Sequence, residues 1–352
     1  MKIGMLGLQA AGKKTLFALL TGTTPSSSAP ASGLPGVFKV RDSRVDELSK
    51  LYSPEKTIYA QTDLLLLPDV EKTEGKAPWL NDVRLLDGLA LVIRSFPDET
   101  VFHPMGSVDP LRDAQLFISE LLFADLLLLE KRKEKLSDEL KRSRSAEKEK
   151  ELELIGRLAK VVETGGGVAG AGLVDSERRL ISHYQFLTDK PLVAVVNAAH
   201  GSDVSAVEKG LAAFYGGRIK AVACDLKLEG EIAAMTDPAE RKEFLEGMGI
   251  KEPAVARLTR VLYDAMGLMS FFTTGKDEVR AWTVRKGSTA PQAARAIHTD
   301  LEKGFIRAEV MKYGDLIALG SEDAVSKAGK AGLKGKDYVV EEGDILHIRA
   351  AN

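Results

Sequence analysis

The chain has 352 residues, 44% of them hydrophobic, enough for a sizeable core and for two or three domains. Lys plus Arg (49) nearly balances Asp plus Glu (51), which excludes a global field drawing the protein to nucleic acid or membrane, so any such partner needs a local patch. A single cysteine, Cys224, excludes an internal disulfide and a multi-cysteine zinc site, fits a reducing compartment, and reads as a small buried residue.

Met1 to Gly7 runs straight into fold-forming sequence, without the apolar region and cleavage site of a secretory signal. The most apolar stretch, Leu121 to Leu129, is too short for a bilayer span and carries Asp125. Both features predict a cytoplasmic protein with no membrane partner. Residues 2 to 6 read as a buried strand, followed by a glycine-bounded loop and a helix carrying Leu16, Phe17, Leu19 and Leu20. Further apolar runs at Leu64 to Leu67, Leu89 to Ile93, Leu192 to Val196 and Ile219 to Ala223 alternate with helical patterns. The class is α/β, with a largely parallel sheet covered on both faces.

Asp109 is an expected N-cap with Pro110 at the first helical position, and helical spacing continues to about Arg142. Leu126, Leu129, Lys133, Leu136 and Leu140 recur at threes and fours, Ser143-Arg144-Ser145 marks a break, and Leu152, Ile155, Leu158 and Val162 resume the pattern. This predicts a helical hairpin. Its charges from Lys131 to Glu153 read as a solvated exterior, and Gly165 to Gly172 as a flexible exit. The C-terminal part reads as a small α+β module, with strands at Val279 to Val284 and Tyr338 to Val340 and a helix over Ala290 to Leu301. Lys327, Lys330, Lys334 and Lys336 share a glycine-rich loop there. A solvated loop is the plainer reading and an RNA-phosphate contact the alternative.

The strongest chemical signal is Gly7-Leu8-Gln9-Ala10-Ala11-Gly12-Lys13-Lys14-Thr15, which has Walker A spacing between a predicted strand and helix. Glycines let backbone N–H groups curl around phosphate oxygens, the helix N-terminus adds positive dipole, and Lys13 neutralises β and γ charge. A glycine turn without a ligand is the competing reading. Lys14 stands where the motif needs Ser or Thr for magnesium, and an ammonium cannot coordinate a cation. Thr15 is one residue late and points about 100° away.

The chain resembles the YchF (Obg-like ATPase) family of P-loop GTPases over essentially its whole length. Beyond the phosphate loop, the resemblance is carried by Val108-Asp109-Pro110, Ser119-Glu120-Leu121, Ala124-Asp125-Leu126, Phe186-Leu187-Thr188, Lys190-Pro191 and Asn197. Toward the C-terminus it is carried by Glu278 to Thr283, His298 to Ala308, Gly335 to Tyr338 and Glu342-Gly343-Asp344, which are similar to the family's TGS domain. It implies a discontinuous nucleotide-binding domain over residues 1–112 and 187–267, a helical (coiled-coil) hairpin inserted at 113–186, and a β-grasp TGS domain at 268–352. It also implies ATP or GTP as ligand, slow hydrolysis, and ribosome or RNA contact through the TGS and helical parts.

The family's Asp-x-x-Gly appears here as Leu66-Leu67-Pro68-Asp69-Val70-Glu71, with no aspartate and glycine at the required spacing. The switch I threonine region is a Ser, Pro and Ala loop from Ser26 to Gly33, read as flexible, and the base-reading Asn-x-x-Glu is Asn197-Ala198-Ala199-His200. Candidate nucleotide-binding residues are therefore Gly7, Gln9, Ala10, Ala11, Gly12, Lys13, Lys14, Thr15, Asn197 and His200. No residue is assigned a catalytic or metal-binding role, and ordinary Mg2+ coordination is not expected. His103 falls in a loop where the family also carries a histidine; a hydrogen-bonded loop residue is the plainer reading and a phosphate contact the alternative. The expected function is a purine-nucleotide-binding regulatory protein with weak or lost hydrolysis. The alternatives are a slow ATPase or GTPase using Thr15, Asp69 or Asp63 as unconventional ligands, and a nucleotide-free ribosome-binding scaffold.

Overall fold

The computed structural model describes residues 1–26, 32–69 and 79–351. In chain order its strands and principal helices are β1 (Lys2–Leu6), α1 (Lys13–Thr21), β2 (Leu34–Lys39), α2 (Ser43–Tyr52), β3 (Lys56–Ile58), β4 (Gln61–Leu66), α3 (Trp79–Arg84) and β5 (Gly88–Arg94). The long α4 (Pro110–Arg142) and α5 (Ala146–Glu163) follow, then α6 (Asp175–Ile181), β6 (Leu192–Asn197), α7 (Ser205–Ala213), β7 (Lys220–Cys224), α8 (Leu226–Ala234), α9 (Pro238–Gly247) and α10 (Ala254–Ala265). The chain closes with β8 (Leu268–Thr273), β9 (Glu278–Arg285), α11 (Ala290–Ile297), α12 (Thr299–Lys303), β10 (Phe305–Lys312), α13 (Tyr313–Leu319), α14 (Glu322–Lys327), β11 (Gly332–Lys334) and β12 (Asp344–Ala350). It divides into two compact units, one of Met1–Val37 with Asp63–Leu258 and one of Phe38–Thr62 with Thr259–Asn352.

The first unit is built on a sheet of order β2-β4-β1-β5-β6-β7, in which β4, β1, β5, β6 and β7 pair in parallel. The apolar runs read from sequence are its strands. Both β5 and β6 are buried along their whole length, which is why they read as continuous rather than alternating apolar sequence. Asp109 caps α4 by accepting from Arg112 N at 3.0 Å, with Pro110 in the first turn. The N-terminal half of α4 buries Ala114, Phe117, Ile118 and Leu121 in the core formed with β5 and β6. Its C-terminal half packs Leu129 and Leu136 against Leu154, Ile155, Leu158 and Val162 of α5. Each fully buried leucine or isoleucine there contributes roughly 1.5–3 kcal/mol.

Two sequence expectations change in this hairpin. The charged stretch is not wholly exterior: Arg132 Nε donates to Glu151 Oε1 at 2.9 Å, the Tyr184 hydroxyl donates to the same carboxylate, and Glu151 is buried. With Lys148 to Glu139 at 2.9 Å, these pairs fix the register of the two helices. Gly165 to Gly172 is not a loose exit either. It contains a 3-10 turn, Val168–Ala171, whose Val168 is fully buried and whose Val168 N–H donates to Thr188 Oγ1 at 2.9 Å.

Asp125, the acid inside the apolar stretch of α4, has no exposed surface. Its carboxylate accepts from Leu187 N at 2.9 Å, Thr188 N at 2.7 Å and Thr188 Oγ1 at 2.8 Å, so it closes the turn that leads the chain from the hairpin back into β6. Lys190 finishes that return by donating to the carbonyls of Arg84 and Leu86 at 3.0 and 2.5 Å.

The second unit is a mixed sheet of order β11-β10-β12-β8-β9-β3, with a core of Met269, Phe271, Ala293, Phe305, Val310 and Leu346 among others. Residues 38–62, expected in the nucleotide-binding domain, belong here. β3 pairs in parallel with β9, Lys56 opposite Glu278, while Val45 and Leu48 of α2 are fully buried. Arg44 reinforces this by pairing with Asp42 and Glu342 and lying 5.1 Å from the centre of the Phe272 ring. Tyr338 to Val340 forms no strand; Val339 makes only an isolated bridge to Thr289. The helix expected over Ala290 to Leu301 breaks at His298, whose Nδ1 accepts from Asp300 N at 3.2 Å and starts α12. In the lysine loop, Lys330 pairs with Asp315, and Lys334 Nζ sits 5.5 Å from the Tyr338 ring centre.

Asp125→Ala removes the acceptor for two buried N–H groups and a hydroxyl, and is expected to cost about 3 kcal/mol. Urea unfolding of the variant, followed by tryptophan fluorescence, measures it.

Candidate functional site: a phosphate-type loop and its cavity

At the carboxyl ends of β1, β5 and β6, the loop from Gly7 to Gly12 turns into α1. Its glycines answer to space as well as to dihedral angle. Gly7 has φ 149°, and a Cβ there would lie 2.4 Å from Val92 O. Gly12 has φ 104°, and a Cβ would meet Asn197 Nδ2 at 2.6 Å and Leu226 Cδ1 at 2.8 Å. Ala10, at φ 60°, adopts the left-handed region despite its side chain. Gly12 precedes α1 without any side-chain cap, and no acid lies in the first turn, where Lys13 and Lys14 stand instead. Two cations at the positive end of a helix are unfavourable alone and favour an anion at that end.

Asn197 joins the loop to the far wall. Its Nδ2 donates to Ala11 O at 3.0 Å, and its Oδ1 accepts from Leu226 N at 3.3 Å. Lys13 is only 4% exposed. Its ammonium donates to the carbonyls of Gly7 and Leu8, the latter at 3.1 Å, and to Asp69 Oδ1 at 2.6 Å. Burial draws its pKa below the ordinary lysine value; Asp69 opposes that shift and the charge of Lys14 adds to it.

A cavity of about 900 Å³ opens over this loop, lined by Gln9, Ala10, Gly12, Lys13, Lys14, Thr15 and Asn197 from the expected set. Gly7 and Ala11 lie behind it as buried backbone. His200 does not line it. The His200 N–H donates to Asp225 Oδ2 at 2.7 Å, and the residue borders a separate hollow of about 450 Å³. His103 is also outside: Met105 N donates to its Nδ1 at 3.2 Å, and its Nε2 lies 2.9 Å from Asp113 Oδ2, so the ring fastens its own loop to α4. Cys224 is buried at the end of β7, where burial pushes its thiol up to about 12.

The remaining wall was not read from sequence. Phe96, Pro97, Asp98 and Val101 form one side. They are shaped by Arg94, 2% exposed, whose guanidinium donates to the carbonyls of Phe96, Asp98 and Val101 at 3.0 to 3.1 Å and lies 4.7 Å from the Phe96 ring centre. The signal available was an arginine ending an otherwise apolar strand. Asp225, Leu226 and Lys227 form the other side. Asp225 Oδ1 accepts from Lys227 N and Leu228 N, capping α8.

Among the described residues, the donor set does not suit Mg2+. Lys14 lines the cavity where a hydroxyl ligand belongs, Leu66 and Leu67 are buried apolar residues, and the Asp69 oxygen nearest the loop is paired with Lys13. Asp63 sits at the start of β4, 3.9 Å from the Met1 amino group and opposite Lys2, at the other end of the strand from the cavity. Among the described residues, no group of three or more His, Cys, Asp or Glu is arranged to hold a metal ion. The expected switch loop from Ser26 to Gly33 lies partly outside the described residues, as do Val70 and Glu71.

Sequence comparison finds the chain 36% identical to the Ribosome-binding ATPase YchF of Haemophilus influenzae, an alignment covering 99% of this chain and 98% of the relative. The chain belongs to the YchF family. It is 33% identical to the Bacillus subtilis Ribosome-binding ATPase YchF over 98% of both chains, and 32% identical to the Obg-like ATPase 1 of Oryza sativa over 99% of this chain and 92% of that one. The YchF family model described as YchF-GTPase_C, a protein of unknown function, matches residues 268–351. Among solved structures, the Schizosaccharomyces pombe YchF GTPase superposes with a TM-score of 0.84 at 29% identity, covering 99% of this chain and 97% of the other. Among the described residues, no helix is long and apolar enough to cross a membrane.

Arg94→Lys keeps the charge but loses the planar fork that reaches three carbonyls. Amide hydrogen exchange at residues 96–101 is expected to accelerate about tenfold or more in that variant, for the loss of roughly 1.4 kcal/mol of local stability.

Proposed function

We propose that this YchF-family chain is a purine-nucleotide-binding regulatory protein that takes ATP or GTP in the cavity over Gly7 to Thr15 and associates with ribosomes. The observation that carries the reading is a helix N-terminus bearing Lys13 and Lys14, uncapped by any side chain, at the floor of a cavity of about 900 Å³. Backbone N–H groups and two ammonium groups there suit a polyphosphate, and the volume suits a nucleoside. Gln9, Ala10 and Gly12 supply loop backbone, Lys13 the β and γ contact, and Asn197 the brace behind the base side. Ribosome association rests on the relatives' names, Ribosome-binding ATPase YchF, and the expected contacts are the helical hairpin and the C-terminal unit.

Hydrolysis is weak or lost in this reading, because attack on the γ-phosphate relies on a metal and a positioned water. In this reading Lys14, which lines the cavity, supplies positive charge where a metal sits in ordinary P-loops. Binding therefore persists in a chelator.

A thermal-shift panel of ATP, ADP, GTP and GDP, each with Mg2+ and with EDTA, tests this. Nucleotide at a hundredfold excess over its dissociation constant stabilises by about 2.7 kcal/mol, so a rise of several degrees is expected in both buffers. Lys13→Ala should abolish the rise. Lys14→Ser is expected to leave turnover slow in a phosphate-release assay, since Leu66 and Leu67 still stand where an acid is needed. Strict Mg2+ dependence in the wild type, or brisk turnover in Lys14→Ser, overturns the account.

The ribosome contact is tested by co-sedimentation across a salt series. Replacing Lys327, Lys334 and Lys336 with Ala should weaken binding and flatten its salt dependence if this loop meets RNA phosphates. An unchanged series moves the contact elsewhere.

A further inference from the structure

Lys13 is the cation that the proposed ligand needs, and it already has an anion. Asp69 Oδ1 lies 2.6 Å from its ammonium, the remaining bonds go to the carbonyls of Gly7 and Leu8, and the lysine is only 4% exposed. Asp69 is different. It follows β4 by a few residues, lines the same cavity, and its side chain is 37% exposed, so its carboxylate is open to the cavity in a way the lysine is not. An exposed acid on a buried lysine occupies the position of a phosphate oxygen.

We propose that Asp69 is a selectivity-determining residue of the phosphate subsite, an intramolecular stand-in for the ligand's terminal phosphates that a polyphosphate must displace to reach Lys13. This rests on the cavity being a polyphosphate site. Displacement ends one charge-assisted bond and forms another, and it leaves the Asp69 carboxylate beside the incoming anion unless it swings into solvent. Both effects oppose binding. They apply only to ligands that extend to Lys13, because the loop backbone receives the α-phosphate while the lysine receives β and γ. A monophosphate therefore escapes the opposition, and so gains nothing when the acid is neutralised.

Asp69→Asn keeps the size and one acceptor while removing the charge. Isothermal titration of wild type and variant with ATP, GTP, inorganic tripolyphosphate and AMP, all in EDTA, reads the effect, and Asp69→Ser repeats it with a smaller side chain. The expected result is tighter binding of ATP, GTP and tripolyphosphate by about tenfold to a hundredfold, with AMP unchanged, as for removal of a charged competitor from a desolvated lysine. Equal affinities in wild type and both variants, or a gain for AMP as large as for ATP, overturn the role of Asp69 while leaving nucleotide binding intact. A gain for tripolyphosphate with no nucleotide bound by any form upholds it and overturns the nucleotide reading instead. No binding of any probe to any form overturns both.

Discussion

The absence of a side chain at Gly12 lets three separate parts of the chain meet, and the cavity exists only where they do. The phosphate-type loop, the end of β6 at Asn197 and the start of α8 at Leu226 converge within contact of that one Cα. Any Cβ at Gly12 pushes the Asn197 amide off Ala11 and Leu226, and with it goes the brace between the two walls. Because Gly7 is equally confined against β5, the loop is held by its surroundings as well as by its own hydrogen bonds. A backbone fixed in this way presents N–H groups already oriented for an anion, with little left to order on binding.

Charge in this site is arranged for an anion and not for a cation. Three lysines, Lys13, Lys14 and Lys227, line the cavity, and the three acids that share it among the described residues are committed elsewhere: Asp69 to Lys13, Asp98 to the backbone N–H and hydroxyl of Thr100, and Asp225 to the start of α8 and to His200. The Asn-x-x-His segment carries no base-reading acid: His200 stands in its place, its backbone N–H donates to Asp225, and the residue borders another hollow.

Much of the first unit was legible because its signals are local. A strand, a glycine loop and a helix are contiguous, and β5 and β6, buried on both faces, advertise themselves as unbroken apolar runs. What escaped depends on partners distant in sequence. Lys13 and Asp69 are far apart along the chain, as are Arg132 and Glu151, and no periodicity marks which charges of a polar stretch turn inward. Arg94 was invisible for a related reason, since its partners are backbone carbonyls, which every sequence has. The break at His298 turned on one imidazole accepting a backbone N–H, a choice that helical spacing alone does not reveal.

The placement of β3 has a consequence for biosynthesis. Lys56 leaves the ribosome early, yet its partner Glu278 comes some two hundred residues later, and three further strands of that sheet, β10, β11 and β12, come after it. At roughly 5–20 residues per second, α2 and β3 wait on the order of tens of seconds for the surface they complete. During that interval the buried faces of Val45 and Leu48 have no cover from the C-terminal strands. The nascent chain therefore carries a short amphipathic segment that only the finished polypeptide can shelter, and a truncated translation product remains marked by it.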